Sequence, residues 1–528
     1  MKCLYNIAIW FYALAVRIVA FFNPKVRLMW QGEREAYAKI ESGLREGDRV
    51  VWVHAASLGE FEQGRPLIER LKKENPEYKI LLTFFSPSGY EVRKNYASAD
   101  VIAYLPLDTP RNAKRFIELV KPEKVVFVKY EFWLNYLSEL RRRGVDTYII
   151  SAIFRPNQVF FKWYGGIFRE GLKAFKTLFV QNEESKELLK GIGVENVMVA
   201  GDTRFDRVAD IAAAAKRLEI VERFVGMRNE ELGIRNDIPL SPSDSLTLSS
   251  SFLQGIMQTS LPSALASSVG SPNLGEHSRE VQNGEFLPVL VVGSSWGPDE
   301  DLLARYINER AGRMKMIIAP HEVREERIKE LTSKLTCRYA LYTDIQKEIT
   351  DGSQQSTVNC QPVLTPSASL VPLKQGDNKI CEANLTLNFQ LFIARGSKTD
   401  GSTFNSFDVL VVNTIGVLSS VYQYGQVAYI GGGFGVGIHN TLEAAAWGMP
   451  VVFGPNYHKF QEAKELIECG AGQSIKNYEE CARALDEFFE KNEVASKAAA
   501  EYVASHTGAT DLIYNAQFII HNYSPVGS

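Results

Sequence analysis

From Arg49 onward the chain alternates short apolar runs with amphipathic stretches, and it does so twice. Runs at 50–54, 80–84, 101–105, 124–128, 147–151, 177–181 and 197–200 have strand length, and helical patterns lie between them at 66–73, 111–120 and 184–190. Several runs are apolar at every position, as a strand must be when both faces of its sheet are covered. Strand, helix and strand in that order make a βαβ unit, whose crossover forces a parallel sheet. The pattern restarts at 289–293 and continues at 314–319, 338–342, 408–412, 426–430 and 450–453. The expected fold class is α/β, with two Rossmann-like domains facing across a cleft. Ligands of open α/β sheets bind beyond the carboxyl ends of the strands, so such a cleft suits a donor on one side and an acceptor on the other.

The expected layout is a hydrophobic segment at 1–24, a first Rossmann-like domain at 25–212, a linker with a disordered insert at 213–287, a second domain at 288–490 and a helical segment at 491–528. Two stretches break the rhythm. Residues 234–285 are rich in Ser, Leu, Pro and Gly, and residues 346–406 are polar without a sustained period. Long structureless loops are unusual inside compact domains, so both are read as mobile inserts.

Residues 3–22 are apolar apart from a few polar positions such as Asn6 and Arg17, and the run is long enough to span a bilayer. No small-residue cleavage site follows; the next residues are Asn23, Pro24 and Lys25. The segment is either a single span, an interfacial helix anchored by Trp10, Tyr12, Phe21 and Phe22, or a buried core helix. Lys25, Arg27 and Arg34 follow it, whereas only Lys2 and the amino terminus precede it, which places the globular body in the cytoplasm. The formal net charge of -3 gives no general basic field, so nucleic acid is not an expected partner. Cys3, Cys337, Cys360, Cys381, Cys469 and Cys481 form no C-x-x-C pair and no zinc-type spacing, so neither a metal site nor disulfides are expected.

Candidate chemistry gathers at strand ends. His54-Ala55-Ala56-Ser57-Leu58-Gly59-Glu60 runs from the first strand into a helix. Glu60 is placed either as a general base over the cleft or as a capping acid. Glu131, in Lys129-Tyr130-Glu131-Phe132-Trp133, stands at the same sheet edge; it either orients a hydroxyl or cation or is structural. Arg204, in Gly201-Asp202-Thr203-Arg204-Phe205-Asp206, presents a fork suited to phosphate or carboxylate, or else pairs with Asp202 or Asp206. In the second half Gly293-Ser294-Ser295-Trp296 and Pro320-His321-Glu322 end strands. A glycine-rich turn, Gly431 to Gly437, leads into His439-Asn440-Thr441-Leu442-Glu443 and then Gly448-Met449-Pro450. Backbone amides of such a turn can approach a phosphate, and Glu443, expected one turn inside the helix, can accept from ribose hydroxyls. His439 is read as a loop-fixing donor rather than a metal ligand. The turn with H-N-x-L-E is the pattern of GT-B nucleotide-sugar enzymes, and no D-x-D metal motif stands where one would be needed.

Together these segments resemble the 3-deoxy-D-manno-octulosonic acid (Kdo) transferases of glycosyltransferase family 30, over nearly the whole chain outside the two inserts. The resemblance implies a GT-B fold, with 25–212 binding the acceptor and 288–490 binding the CMP-sugar. It implies inverting, metal-independent transfer from CMP-Kdo to the primary hydroxyl of a lipid A precursor, a phosphorylated and acylated glucosamine disaccharide. No cofactor is implied beyond the donor substrate CMP-Kdo. The implied setting is lipopolysaccharide biosynthesis, in contact with membrane lipids at the cytoplasmic face of a bacterial inner membrane. The resemblance makes Glu60 the base, and Glu131 and Arg204 the groups that assist charge development as CMP leaves. It assigns the CMP site to Pro320, His321, Ile415, Gly416, Val417, Asn440, Thr441, Leu442 and Glu443. Three positions depart from the family pattern: His321 follows the proline where a basic residue is common, Arg204 stands where many members have lysine, and Trp133-Leu134-Asn135 replaces W-P-N. Two other readings remain open: another GT-B enzyme, such as a lipid-disaccharide synthase or a nucleotide-sugar 2-epimerase, or a non-catalytic membrane scaffold. An epimerase has no need of the anchor, and intact Glu60, Arg204 and Glu443 argue against a decayed scaffold.

Overall fold

The apolar runs of the first half become seven parallel strands in the computed structural model, which describes residues 2–226, 287–351 and 406–519. The bulk of both expected inserts, with Cys360 and Cys381, lies outside the described residues. The chain divides into two units, Met1–Asp210 with Ala504–Ser528, and Ile211–Val503.

The first unit contains β1 (Arg49–His54), β2 (Tyr78–Phe84), β3 (Val101–Tyr104), β4 (Lys124–Val128), β5 (Asp146–Ala152), β6 (Thr177–Val180) and β7 (Val197–Val199). Their order is β3-β2-β1-β4-β5-β6-β7. Alternate residues of one strand enter opposite cores. Trp52, Val125, Phe127 and Ile149 pack on one face, and Val51, Val53, Val126, Val128 and Ile150 on the other. Each such side chain, fully buried, stabilises the fold by about 1.5–3 kcal/mol. The strand order reverses between β1 and β4, so a crevice opens beyond their carboxyl ends. The sequence places the His54–Glu60 and Lys129–Glu131 stretches there.

The second unit repeats the plan with β8 (Val289–Ser295), β9 (Lys315–Pro320), β10 (Tyr339–Leu341), β11 (Val409–Val411), β12 (Val427–Ile430), β13 (Val451–Phe453) and β14 (Gly472–Ser474). The order is β10-β11-β9-β8-β12-β13-β14, with its reversal between β8 and β12. Sequence reasoning misses β14 because Gly472-Gln473-Ser474 has no apolar run; an edge strand of three residues needs none.

The C-terminal segment is helical at Asn492–His506 and Ala509–Tyr514 and is shared between the two units. From Ala504 it belongs to the first unit, with Ile513 and Tyr514 in that unit's core. Asp206 accepts from the amides of Gly508 and Thr510 at 2.6 Å each, and Lys124 Nζ donates to the Gln517 carbonyl at 2.6 Å.

Residues Lys2–Phe22 form a helix whose outward face is apolar: Leu4, Trp10 and Phe11 are each at least 65% exposed, and Phe22 is 84% exposed. This removes the buried-core reading. The inner face is pinned to the body by polar contacts. Tyr5 Oη donates to Asp108 Oδ2 at 2.6 Å, and Asn135 Nδ2 donates to Asn6 Oδ1 at 2.9 Å. Arg27 turns back to the last carbonyls, Ala20 O at 3.0 Å and Phe21 O at 2.8 Å. Asn23 then caps the next helix, Pro24–Gly43, with proline at its first turn.

Candidate functional site

In the first unit, Ser57 caps the helix Leu58–Glu74 and Glu60 returns the bond. Glu60 Oε2 accepts from the Ser57 amide at 3.1 Å and from Ser57 Oγ at 3.3 Å, a capping box. The capping alternative is therefore realised, yet the carboxyl stays at the open strand edge. Burial, then the neighbouring Glu131 carboxylate, raises the Glu60 carboxyl above its ordinary value, against the opposing pull of His54, the Ser57 amide and Lys129. A carboxylate disfavoured in this way takes up a proton more readily, which suits a general base. Among the described residues, a Cβ added at the neighbouring Gly59 would meet nothing within 4 Å.

Glu131 lies at the adjacent end of β4. Its Oε2 faces His54 Nε2 at 3.2 Å and accepts a short hydrogen bond from Trp133 Nε1. Lys129, two residues before it, has φ +67°, a left-handed conformation costly for a residue with a Cβ. Such strain collects at functional strand ends. Phe85 packs on Trp133 with centroids 4.9 Å apart, and Tyr12 of the exposed apolar helix approaches Phe85 at 6.5 Å. An aromatic path thus joins that helix to the Glu131 site.

Arg204 takes the partner that sequence reasoning left open. Its Nε and Nη2 both lie 2.8 Å from Asp202 Oδ2, and its amide donates to Oδ1 at 3.0 Å. Asp202 also accepts from Gln63 Nε2 at 2.9 Å and Gln181 Nε2 at 3.1 Å. Burial pushes the Asp202 carboxyl up, but Arg204 and these donors outweigh it and hold the group below its ordinary value. Gln63 stands one turn after Glu60 on the same helix, so the Arg204 turn and the Glu60 helix are braced together. Glu60 and Glu131 are brought into electrostatic contact; Arg204 joins them through Asp202 and Gln63.

In the second unit, Asp299 organises the glycine turn. It accepts from the Trp296 amide, the Gly432 amide and Tyr429 Oη, each at 2.9 Å. A Cβ at Gly431 would lie 2.3 Å from Ser294 O, so only glycine fits there, and Gly432 has φ +91°. The expectation that the turn offers its amides to a phosphate is narrowed by bonds that four of them already make. The amides of Gly431, Gly432, Gly435 and Gly437 bond within the unit, to Gly293 O, Asp299 and twice to Gly432 O. These bonds brace the turn, and among the described residues the amides of Gly433, Phe434 and Val436 make no such bond. The helix behind it, Leu442–Ala445, is short, and Glu443 lies in its first turn, not one turn inside.

Trp296, His321 and His439 form a stack, with centroids 4.6 Å and 4.5 Å apart. Trp296 Nε1 donates to His439 Nε2 at 3.2 Å, so neutral His439 carries its hydrogen on Nδ1. Burial, then His321, lowers the His439 value and favours the neutral ring. Pro320 ends β9, and the His321 amide bonds Ser295 O at 3.0 Å. Glu443 Oε2 accepts from Ser419 Oγ at 3.0 Å and Oε1 from Asn440 Nδ2 at 3.1 Å. Ser419 lies on the short helix Leu418–Val421 that follows the Ile415-Gly416-Val417 turn, where Ile415 is 84% exposed and Gly416 has φ +93°. Leu442 is buried, and among the described residues the buried Thr441 hydroxyl has no hydrogen-bond partner. Among the described residues no three His, Cys, Asp or Glu side chains converge as a metal site would require.

His54, Asp299 and Ser419 are the working residues that sequence reasoning gave no role. His54 stood inside a quoted motif and Asp299 three residues after the end of one, at Trp296; Ser419 carried no signal, because its contact with Glu443 spans 24 residues of chain.

Residues 30–207 match the family described as "3-Deoxy-D-manno-octulosonic-acid transferase (kdotransferase)". The chain is similar to the 3-deoxy-D-manno-octulosonic acid transferase of Aquifex aeolicus, 23% identical over 85% of this chain and 88% of that protein. It is also similar to the enzyme of that name from Bordetella pertussis, 23% identical over 94% of this chain and 96% of that one. Among solved structures, a UDP-GlcNAc 2-epimerase from Neisseria meningitidis aligns over 88% of this chain and 98% of its own, at 14% identity and a TM-score of 0.48.

Proposed function

We propose that this chain, a glycosyltransferase of the Kdo transferase family, moves Kdo from CMP-Kdo to the primary hydroxyl of a lipid A precursor, with inversion and without a metal. The observation that carries the reading is Glu60, a carboxyl raised by burial at the β1–β4 reversal of the unit that matches the family. Glu60 takes the proton of the acceptor hydroxyl as its oxygen attacks the anomeric carbon. The bond from that carbon to the phosphate oxygen breaks, and CMP leaves with the electron pair. One displacement by one base inverts the centre. A positioned base contributes about 10²–10⁴-fold to such a step.

The donor brings a sugar carboxylate and a phosphate, so the reaction needs cationic and dipolar partners. Arg204, aimed by Asp202, is assigned that role, and Glu131 orients a hydroxyl of the reacting sugars. Pro320, His321, the 415–417 turn and Asn440 to Glu443 are assigned to CMP, with the Glu443 carboxylate facing ribose hydroxyls. The apolar helix is assigned to the cytoplasmic leaflet of the inner membrane, lying along it. The bonds of Tyr5 and Asn6 to the body support this in-plane placement, because a helix crossing the bilayer would have to break them. Lys25, Arg27 and Arg34 support the face.

The test is reaction of the membrane-reconstituted protein with freshly generated CMP-Kdo and a tetra-acylated acceptor, with and without EDTA, and NMR of the new glycosidic linkage. An inverted linkage formed equally well in EDTA is expected. A retained configuration or a metal requirement would overturn the corresponding part, and preference for a UDP-sugar would move the assignment to another GT-B activity.

A further inference from the structure

His54, the last residue of β1, is fully buried and lies against Glu131. Its Nε2 stands 3.2 Å from Glu131 Oε2. Its Nδ1 stands 2.9 Å from Thr83 Oγ1 and 3.2 Å from the Thr83 carbonyl. A ring nitrogen opposite an ionised carboxylate must carry hydrogen, since a lone pair there would repel it. Nε2–H therefore donates to Glu131 whether the ring is neutral or protonated.

Thr83 can serve both states. Its hydroxyl accepts from Trp52 Nε1 at 2.7 Å, which leaves its own hydrogen for a bare Nδ1 or a second lone pair for a protonated one. Trp52, Thr83 and His54 are all 0% exposed, so water does not replace these partners. Trp133 at 5.5 Å and Phe127 at 5.8 Å meet the imidazole edge-to-face and hold its plane. Trp133 also donates to Glu131 Oε2. Among the described residues, the bonds to the Glu131 carboxylate all end on Oε2.

We infer that His54 is a positioning residue which, with Trp133, anchors one oxygen of Glu131 and turns the other toward a sugar hydroxyl, while Thr83 and Trp52 hold the imidazole with Nε2–H facing the carboxylate. The inference deepens the transfer reading and rests on it. It also gives Thr83, on the neighbouring strand, and Trp52, two residues before His54, a task in the reaction.

The test uses the full chain in membranes. In His54→Gln the amide nitrogen replaces Nε2 and can still donate to Glu131. In His54→Asn the shorter amide keeps contact with Thr83 but falls short of Glu131. His54→Asn is expected to lower kcat by about 10–100-fold, as when an outer-shell partner of a metal ligand is lost, with KM for CMP-Kdo within twofold and an unchanged melting temperature. His54→Gln is expected to recover most of that loss. Equal activity of wild type and His54→Asn, or equal damage in both variants, overturns the donor role. If either variant fails to fold, Thr83→Val and Thr83→Ser replace them: valine is expected to lower kcat and serine to restore it, and no difference between them overturns the inference.

A wild type that makes no product would remove the transfer reading, and the inference is then judged on the protein alone. Side-chain ¹⁵N spectra of histidine-labelled protein contain seven histidines, and the His54 signal is the one absent from His54→Gln. Hydrogen on Nε2, with a signal that moves in Glu131→Gln, is expected. A bare Nε2, or a signal indifferent to Glu131→Gln, overturns it.

Discussion

Glutamine at position 60 separates the two tasks of Glu60. Glutamine closes a capping box as glutamate does, so the bonds at Ser57 survive and the helix Leu58–Glu74 keeps its start. What disappears is the proton acceptor. The expected loss is about 10²–10⁴-fold in kcat, equivalent to about 3–5 kcal/mol of transition-state stabilisation. Stability should move the other way. The folded Glu60 carboxyl is raised, first by burial and then by Glu131. Its contribution to stability is therefore complete below the unfolded value, about 4.3 for glutamate, and is lost as the pH rises through the folded value. Above that window the ionised carboxylate weighs on the fold, and Glu60→Gln is at least as stable as wild type. The assay is a pair of measurements from pH 4 to 8: melting temperature by calorimetry and initial rate of Kdo transfer. The two melting curves should converge at the acid end and separate, in favour of the variant, toward neutrality. Near-wild-type turnover would refute the base assignment. A variant less stable at neutral pH than at pH 4, relative to wild type, would refute the electrostatic argument.

Other outcomes follow from the same geometry. Asp202→Ala removes the buried carboxylate that ties Arg204 to Gln63 and Gln181 and should cost about 3 kcal/mol, at the low end for a broken buried pair because Arg204 is 28% exposed; urea unfolding measures it. Because the Asp202 carboxyl is held low, the stability it gives should be lost as pH falls through its folded value, and Asp202→Asn should flatten that acid limb. Arg204→Lys should keep turnover within about tenfold while Arg204→Ala loses more, since lysine keeps the charge and lacks only the fork. Glu443→Ala should weaken CMP binding by about 1.5–3 kcal/mol in calorimetric titration, because it removes a charged acceptor and frees Ser419 and Asn440. Cys3, an exposed thiol at the far end of the apolar helix, should react with a membrane-impermeant maleimide from the same side as the body. Protection from that side, with labelling from the other, would show a spanning helix.

The strands were legible because each core strand is apolar at successive positions, as between Val125 and Val128, where two covered faces demand it. The acids were legible because Glu60 and Glu131 follow such runs directly, and a parallel sheet puts the residues after its strands at the ligand edge. What stayed hidden was pairing across the chain. Arg204 had two acids in its own motif, and nothing local says that Gln63 and Gln181, on other elements, fix Asp202 as its partner. The glycine turn hid a contact for the same reason: nothing in its local pattern says that Asp299, 133 residues earlier, takes the amide at Gly432. His54 read as the end of a strand, and only its approach to Thr83 and Glu131 gives it chemistry. The return of the C-terminus to the first unit was likewise invisible, since the helix pattern after Ala504 does not name the core it joins.

The most direct test of the central claim is mass spectrometry of a tetra-acylated lipid A precursor after incubation with CMP-Kdo and the reconstituted protein, beside Glu60→Gln. The account predicts one or more added Kdo residues with wild type and essentially none, at equal time, with the folded variant. No addition by folded wild type would contradict the assigned reaction, and equal addition by both proteins would contradict Glu60 as its base.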